Sequence, residues 1–299
     1  KLPENVSGFD TNGGEGAYRY QWYPAKGETA TLMMEDNWPE MGDYDFNDFV
    51  IYYHTQMIFF DGSNTEKDKY EADGIEFEIT FRAMGGYLPY RLGLQLDQTS
   101  AKYIDKVIEI NGNDLVKMEL QNPGEDAPAI FIFTGTDQLR KQNNGGTFYN
   151  TEADHQIAAN DLVTIKYRLK MNCFNSSEKT QALWAAATSE NQNFFLQKEK
   201  NGGREIHLRG YEPTAYYSGS YAGEAGNNMR SDIKYCSTDN FVWGIKVPVK
   251  LAHPREKKDI MEVYGKFRSW ITNPNPSSDN PEDFNENWFK YLDPSQAIK

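Results

Sequence analysis

The sequence predicts a mainly β protein, an antiparallel β-sandwich or jelly-roll-like fold with one or two C-terminal helices. Two observations lead to this prediction. Several short segments alternate apolar and polar residues with a period of two, which is the pattern of strands buried on one face. Clusters of Gly, Asn and Asp separate these segments and favour turns. Many short strands with frequent turns and few helices are typical of sandwiches and jelly rolls.

The strand predictions rest on this alternation. Residues 75–82 and 163–170 show it most clearly, with an apolar side chain at every second position. The other predicted strands are residues 49–60, 90–96, 107–110, 129–134, 204–208 and 241–249. Turn-forming runs at 61–64, 111–114, 143–146 and 201–203 separate several of them.

The predicted helices lie near the C-terminus. Apolar residues recur at helical spacing after the charged stretch 255–259, namely at Ile260, Val263, Tyr264, Phe267, Trp270 and Ile271. A second helix is predicted over roughly 281–292, because Pro281 suits a first helical position behind a capping Asp or Asn. We find no internal repeat and no clear linker. We therefore expect one domain over residues 32–299, with residues 1–31 as an N-terminal extension packed on it.

Charge and composition limit the partners. The chain of 299 residues carries 44 acidic and 31 basic residues, a formal net charge of -13. This charge repels phosphate backbones, so we expect no nucleic-acid partner, whereas cations and neutral sugars remain compatible. No window approaches the ~20 apolar residues of a membrane-spanning helix, so no transmembrane segment is expected. The oligomeric state is not predicted.

Two further features concern export. The sequence shows no basic and apolar leader, so we expect any signal peptide to have been removed or to lie outside it. The two cysteines, Cys173 and Cys236, are too few for a disulfide framework or a complete zinc site. A disulfide between them and two buried thiols are both compatible with the sequence.

Residues 42–48 form an acidic segment with the sequence GDYDFND. Four oxygen-bearing side chains crowd together here, those of Asp43, Asp45, Asn47 and Asp48. Carboxylates held this close repel one another, so a folded protein must separate, protonate or neutralise them. Calcium neutralises them, because it binds six to eight oxygens from carboxylates, amides and main-chain carbonyls. We therefore predict a structural calcium site at this segment.

The alternation within the segment predicts its geometry. In an extended chain, Asp43, Asp45 and Asn47 would face one way, and Tyr44 and Phe46 would face the other. The buried aromatic rings would then anchor the loop, while the oxygen-bearing side chains converge on an ion.

More ligands must come from outside the segment, and Glu35 and Asp36 are the nearest upstream candidates. The segment is not an EF-hand, because Asp48 stands where that loop needs Gly and His54 where it needs Glu. A loop without an ion is the alternative, with acids that accept main-chain N–H groups or pair with Arg and Lys. The spacing alone does not decide between the two.

Residues 36–53 closely resemble the signature of the LruC-type domain family. In that signature, Trp-Pro and a short spacer precede Gly-Asp-Tyr-Asp-Phe-Asn-Asp and an apolar strand, here Trp38-Pro39, residues 42–48 and residues 49–53. The resemblance covers nearly the whole chain from about Leu32, through residues 81–83, 93–96, 204–208 and 241–248, Tyr264, Phe267, Trp270 and Trp288. Two positions depart from the pattern, Val242 and Gly265, where Pro is expected.

The resemblance implies an exported bacterial surface protein, often a lipoprotein, whose molecular function is largely uncharacterised. Similar runs of acids and aromatics in other extracellular β domains are associated with calcium. We therefore expect the bacterial cell surface or periplasm as the location, with any lipid anchor carried by a segment absent from this sequence.

Known catalytic motifs are absent from the sequence, including HExxH, GxxxxGK[ST] and GxSxG. We therefore favour a non-catalytic, calcium-binding surface module that binds glycans or another surface protein or serves as a structural component. The alternative is a carbohydrate-active hydrolase, which needs only two suitably spaced carboxylates. Its site would lie in residues 211–232, where Tyr216, Tyr217 and Tyr221 are candidate ligand contacts. Packing of this loop explains the same tyrosines more simply.

Overall fold

Two antiparallel β-sheets pack face to face in the computed structural model, which describes residues 10–11, 17–61, 73–121, 124–198, 203–272 and 287–299. The predicted β-sandwich is confirmed. In chain order the strands are β1 Asp10–Thr11, β2 Ala17–Tyr23, β3 Ala30–Met34, β4 Phe49–Asp61, β5 Gly74–Ala83, β6 Tyr90–Ser100, β7 Lys106–Asn111, β8 Lys117–Gln121, β9 Pro128–Thr134, β10 Thr164–Lys170, β11 Gln192–Lys198, β12 Glu205–His207, β13 Gly244–Val247, β14 His253–Pro254 and β15 Ala297–Ile298.

The two sheets differ in size. Among the described residues, the first sheet runs β1-β2-β4-β5-β10-β7, and β3 and β13 extend it beside β4. The second sheet runs β12-β11-β6-β9-β8. Strands β14 and β15 form a separate pair near the C-terminus. Every pairing within these sheets is antiparallel, as the sequence predicts.

Strand β4 organises the first sheet. Its second half pairs with β2 and its first half with β3, while β5 covers its other edge. The first five residues of β4, FVIYY, are all buried. Since successive side chains of a strand point to opposite faces, both faces of this half must be covered.

The main core fills the space between the sheets. Phe81 of β5 contacts Phe133 of β9 with ring centroids 6.4 Å apart, and Tyr53 of β4 contacts Phe194 of β11 at 5.0 Å. The alternating apolar side chains predicted for residues 75–81 all point into this core.

A second core lies on the other face of the first sheet. Val50 and Ala83 supply the sheet side, and short C-terminal elements cover them with Val263, Phe267 and Trp288. The helices are α1 Thr136–Leu139, α2 Ser177–Ala187, α3 Tyr221–Ala225, α4 Ile260–Val263 and α5 Phe267–Thr272. The second core thus fastens the chain between β3 and β4 to the C-terminal region.

The prediction of one continuous helix over residues 260–271 is wrong. This segment is divided into α4 and α5, because the backbone at Tyr264 and Gly265 pairs with Leu292 and Tyr291 instead of continuing the helical turn. The first half of the second predicted helix, residues 281–286, lies outside the described residues. Beyond it, Trp288–Lys290 forms a single 3₁₀ turn.

Helix α2 was not predicted from the sequence. It buries Ala182, Leu183, Ala186 and Ala187, and these small side chains give little apolar periodicity. Strands β2, β3, β8 and β11 were also not predicted.

Cys173 and Cys236 are both buried and unpaired. Among the described residues, no helix combines the length and apolar character that a bilayer crossing requires.

Candidate metal centre

The acidic segment lies in the connection between β3 and β4, and its backbone is not extended as predicted. Gly42, Tyr44 and Phe46 have positive φ angles of 63°, 55° and 54°. A left-handed conformation at every second residue curls the chain, so that side chains on both sides of it turn inward. The prediction of one acidic face and one aromatic face was therefore wrong.

The predicted burial of the two aromatic rings is present, however. Tyr44 is 2% and Phe46 0% exposed, and the Phe46 ring lies 5.8 Å from that of Phe267. The Tyr44 hydroxyl donates to the carbonyl of Val242 at 3.0 Å. A left-handed residue with a side chain costs roughly 1–2 kcal/mol. Burying an aromatic ring contributes roughly 1.5–3 kcal/mol, so packing in the second core offsets this strain.

The structure brings the six predicted ligand residues into one region but buries them unequally. Five of them are enclosed, with exposed fractions of 0% for Glu35, 2% for Asp36, 1% for Asp45, 0% for Asn47 and 7% for Asp48. Asp43 is exposed. Four enclosed carboxylates within fourteen residues of chain are an unusual concentration of charge, because buried acids normally have a basic partner or a metal.

Main-chain N–H groups satisfy part of this set. Phe46 donates to Oε1 of Glu35, and Asp36 donates to Oδ2 of Asp48 at 2.8 Å. Asp45 accepts from Asn47 at 3.1 Å and from Lys257 at 2.8 Å. The ion-free alternative, in which the acids accept only main-chain N–H groups, therefore accounts for the hydrogen bonding of one oxygen on Glu35, one on Asp48 and both on Asp45.

Three enclosed oxygens have no hydrogen-bond partner: Oε2 of Glu35, Oδ2 of Asp36 and Oδ1 of Asn47. Leaving a buried acceptor unsatisfied costs about 1–3 kcal/mol, and more for a charged group. All three oxygens are of the kind that a hard cation prefers.

Glu35, Asp43 and Asp45 form the first group of oxygens. One carboxylate oxygen from each lies within 4.8 Å of the other two. Two oxygens bound to the same calcium ion are at most about 5 Å apart, so this group has the spacing of a shared ion. The exposed Asp43 places the group at the edge of the buried region.

Asp36 and Asp48 form the second group, beside Gly86, and Asn47 lies beside the adjacent Gly85. A methyl group at Gly86 would lie 1.9 Å from Oδ2 of Asp36 and 3.0 Å from Oδ1 of Asp48. A methyl group at Gly85 would lie 1.9 Å from Oδ1 of Asn47. Only glycine allows these oxygens to approach the backbone so closely.

The environment disfavours the charged form of these acids. Burial, followed by the charges of Asp48 and Asp45, raises the pKa of Glu35 well above its usual range. Burial and the charge of Asp43 raise the pKa of Asp45 to about 8. Burial is also the main cause of the raised pKa of Asp36 and of Asp48. In the absence of an ion, these acids therefore favour their neutral, protonated form.

One acid near the site was missed at the sequence level. Glu256 is half-buried, and its pKa is raised to about 7, chiefly by burial, with the charge of Asp43 contributing. It lies far from the acidic segment in sequence, beside the Lys257 N–H that donates to Asp45. Residues 255–259 resemble an ordinary charged helix start, so no pattern in the sequence pointed to this contact.

The candidate tyrosines of the 211–232 region are half-buried in the fold. Tyr221 stacks on Trp38 with centroids 5.3 Å apart, and its hydroxyl accepts from the Tyr235 N–H. Tyr216 packs against the small apolar cluster that contains Phe195. Tyr217 is half-buried. Tyr216 and Tyr221 thus have packing contacts that explain their presence in this loop.

The acids of this region have basic partners. Glu224 pairs with Arg204 at 2.9 Å, Asp232 with Arg230 at 2.6 Å and Glu212 with Lys234 at 2.5 Å. Such pairing holds carboxylates in place as structural groups.

The fold and the site together define a class: an antiparallel β-sandwich with a buried acidic loop clamped under C-terminal segments. Residues 72–280 match the family described as "Domain of unknown function (DUF4842)". The chain belongs to this family. The match begins after the acidic segment and includes Gly85, Gly86 and Glu256, which lie against it.

The fold also occurs in a solved structure. The crystal structure of a "putative lipoprotein" from Bacteroides ovatus superposes with a TM-score of 0.73 and 21% sequence identity, over 94% of this chain and 76% of that one. At this identity the likeness establishes the shared fold. No curated protein matches the sequence.

Proposed function

We propose that this chain is a non-catalytic module of an exported protein and that its acidic loop binds calcium as a structural ion. The observation that carries the proposal is the combination of four buried carboxylates with unpartnered oxygens on Glu35, Asp36 and Asn47. Divalent cation binding would offset this charge and supply a partner for such oxygens. Calcium fits best, because every donor is a carboxylate or amide oxygen and calcium tolerates irregular geometry.

The burial of the site favours a structural role over a catalytic one. Five of the six ligand candidates are less than a tenth exposed, so a polymer such as a glycan would not reach the ion. The loop instead connects β3 and β4 of the sandwich with the second core. An ion here would hold that connection in its strained conformation.

The surface location is a separate part of the proposal. Its supports are the resemblance of residues 36–53 to the LruC-type signature and the shared fold with a protein described as a lipoprotein. A glycan or another surface protein remains the proposed kind of partner for the rest of the module.

Isothermal titration calorimetry tests the ion directly. Protein freed of metal with EDTA and dialysed should bind calcium with release or uptake of heat, and magnesium more weakly. Asp43→Asn should reduce the affinity at least tenfold, because it removes a charged ligand. Asp114→Asn, at an exposed turn between β7 and β8, is the matched control and should bind like the wild type. Absence of calcium binding by the wild type overturns the proposal.

A further inference from the structure

The acidic region contains more enclosed charge than one calcium ion balances. Glu35, Asp36, Asp45 and Asp48 are each less than a tenth exposed. None of them forms an ion pair with Lys or Arg within the part of the chain that the structure describes. One divalent ion neutralises two of the four charges, and the half-buried Glu256 adds to the deficit.

A nearby cation does not resolve this imbalance. Arg140 lies close enough to Asp36 to favour its charged form. Its guanidinium, however, donates to the carbonyls of Gly86 at 2.7 Å and Leu88 at 2.9 Å, which holds the glycine pair in place. Arg140 therefore supplies one positive charge beside the second group, fewer than the two that Asp36 and Asp48 require when both are ionised.

The oxygens themselves fall into two groups. Glu35, Asp43 and Asp45 share one centre within 4.8 Å. Oδ2 of Asp36 and Oδ1 of Asp48 lie on either side of the space above Gly86, at 1.9 and 3.0 Å from where a methyl group would be. Two oxygens at these distances from one point are no farther apart than two ligands of one calcium ion, about 5 Å.

The second group also has its own unsatisfied atoms. Oδ2 of Asp36 is buried and has no hydrogen-bond partner, independently of Oε2 of Glu35 in the first group, and the same holds for Oδ1 of Asn47 beside the adjacent Gly85. The Asp36 N–H donates to Oδ2 of Asp48 and holds this side chain in place, and the side chains of Asp36 and Asp48 also contact each other. The absent side chains of Gly85 and Gly86 leave the space in which these oxygens lie.

We propose that the loop holds two divalent cations, one bound by Glu35, Asp43 and Asp45 and a second bound by Asp36 and Asp48 beside Gly86. This inference rests on the proposed calcium function and extends it to the number and position of the ions. Two ions balance the four enclosed carboxylates. The competing arrangement has a single ion in the first group and a proton shared between Asp36 and Asp48.

Native mass spectrometry of the full chain with added calcium chloride separates these arrangements. The wild type should show two calcium ions per chain, and the Asp114→Asn control should do the same. Asp43→Asn should lose the ion of the first group and keep the second ion. Asp48→Asn should lose the ion of the second group and keep the first, and the double variant should bind none. Circular dichroism confirms that each variant is folded before it is compared.

The possible results have distinct meanings. One ion per wild-type chain overturns the second position and leaves the proposed function standing. No ion overturns both. Two ions in Asp48→Asn contradict the assignment of the second group, whichever count the wild type gives. Calorimetric stoichiometry on the wild type supplies the same count without any variant, so a misfolded variant does not leave the question open.

Discussion

The residue on which the account depends most is Glu35. It is fully enclosed, one of its oxygens accepts from the Phe46 N–H, and the other has no partner. Its pKa is raised first by burial and then by the charges of Asp48 and Asp45. A side chain in this position destabilises the ion-free protein and stabilises the ion-bound one, so its two effects have opposite signs.

Glu35→Gln tests this opposition. Gln retains the volume and an acceptor for Phe46 but removes the charge. In EDTA we expect the free energy of unfolding to rise by about 1 kcal/mol, because no charge remains to be buried. In saturating calcium we expect it to fall relative to the wild type, because a ligand is lost. Urea unfolding in both media measures the two changes, and equal destabilisation in both contradicts the role of a metal ligand.

Glu76 is a second informative residue, in the middle of the first sheet. Burial alone would raise its pKa, but hydrogen bonds to Lys166 and Arg168 outweigh burial and hold the pKa below its usual range. Lys166 lies 2.9 Å away, and the Arg168 guanidinium contacts the other carboxylate oxygen. The lowered pKa means that Glu76 stabilises the fold above the pKa of the unfolded chain and loses this effect as the pH falls through its folded pKa.

Glu76→Gln should therefore cost about 1–3 kcal/mol of stability at pH 7 and progressively less as the pH falls through the folded pKa of Glu76. Denaturant unfolding at a series of pH values measures the difference from the wild type. Glu78→Gln on the same strand is the control. The Glu78 side chain is 50% exposed, and its contact with Lys166 is longer, at 3.9 Å. A penalty for Glu76→Gln that does not depend on pH would show that shape, and not charge, matters at this position.

At the scale of single elements, helix α2 shows what sequence patterns omit. Its buried residues are three alanines and one leucine, so the helical face is defined by size and not by hydrophobicity. The sequence does contain one signal for the start of α2, which is its N-cap residue. The Ser176 side chain accepts a hydrogen bond from the Lys179 N–H at 3.2 Å. A capping serine satisfies one of the free N–H groups of the first turn.

Ser176→Ala should destabilise the protein by about 1 kcal/mol, the usual effect of losing such a cap. Chemical denaturation monitored by circular dichroism measures it. Ser231→Ala, at an exposed position in the loop after α3, should change the stability by less than about 0.5 kcal/mol and serves as the control. Equal effects of the two substitutions would contradict the role of Ser176 as a cap.

The acidic loop shows the opposite relation between sequence and structure. Its residue types predicted the crowding of oxygens and the burial of Tyr44 and Phe46. The alternating left-handed backbone could not be predicted, because aromatic residues rarely adopt positive φ angles. Packing against Phe267, more than two hundred residues later in the chain, makes this conformation possible. Glu256 is missing from the prediction for the same reason, since its contact is defined only by the tertiary fold.

At the scale of the whole molecule, the sandwich follows from local patterns and the second core does not. The alternation in residues 75–82 and 163–170 correctly predicts β5 and β10, which pair with each other. The second core is assembled from segments between residues 33 and 297, and no local pattern defines it. The apolar start of β4 was the one available signal, because a strand with five consecutive buried residues needs cover on both faces.

The proposed ion site lies at the junction of these two parts of the molecule. Glu35 and Asp36 follow β3, Asp48 precedes β4, and Asp45 accepts from Lys257 just before α4. Binding an ion at this junction should stabilise the sandwich and the second core together. We therefore expect calcium to raise the free energy of unfolding of the whole fold and not only the stability of a loop.

Thermal unfolding of the full chain tests this central claim most directly, first with excess EDTA and then after calcium is restored. Calcium at about 100 times its dissociation constant should add about 2.7 kcal/mol and raise the Tm by about 5 °C. Asp43→Asn should lose part of this gain, and Asp114→Asn should retain it. Identical melting curves for the wild type with and without calcium, together with no calcium in elemental analysis, would contradict the account.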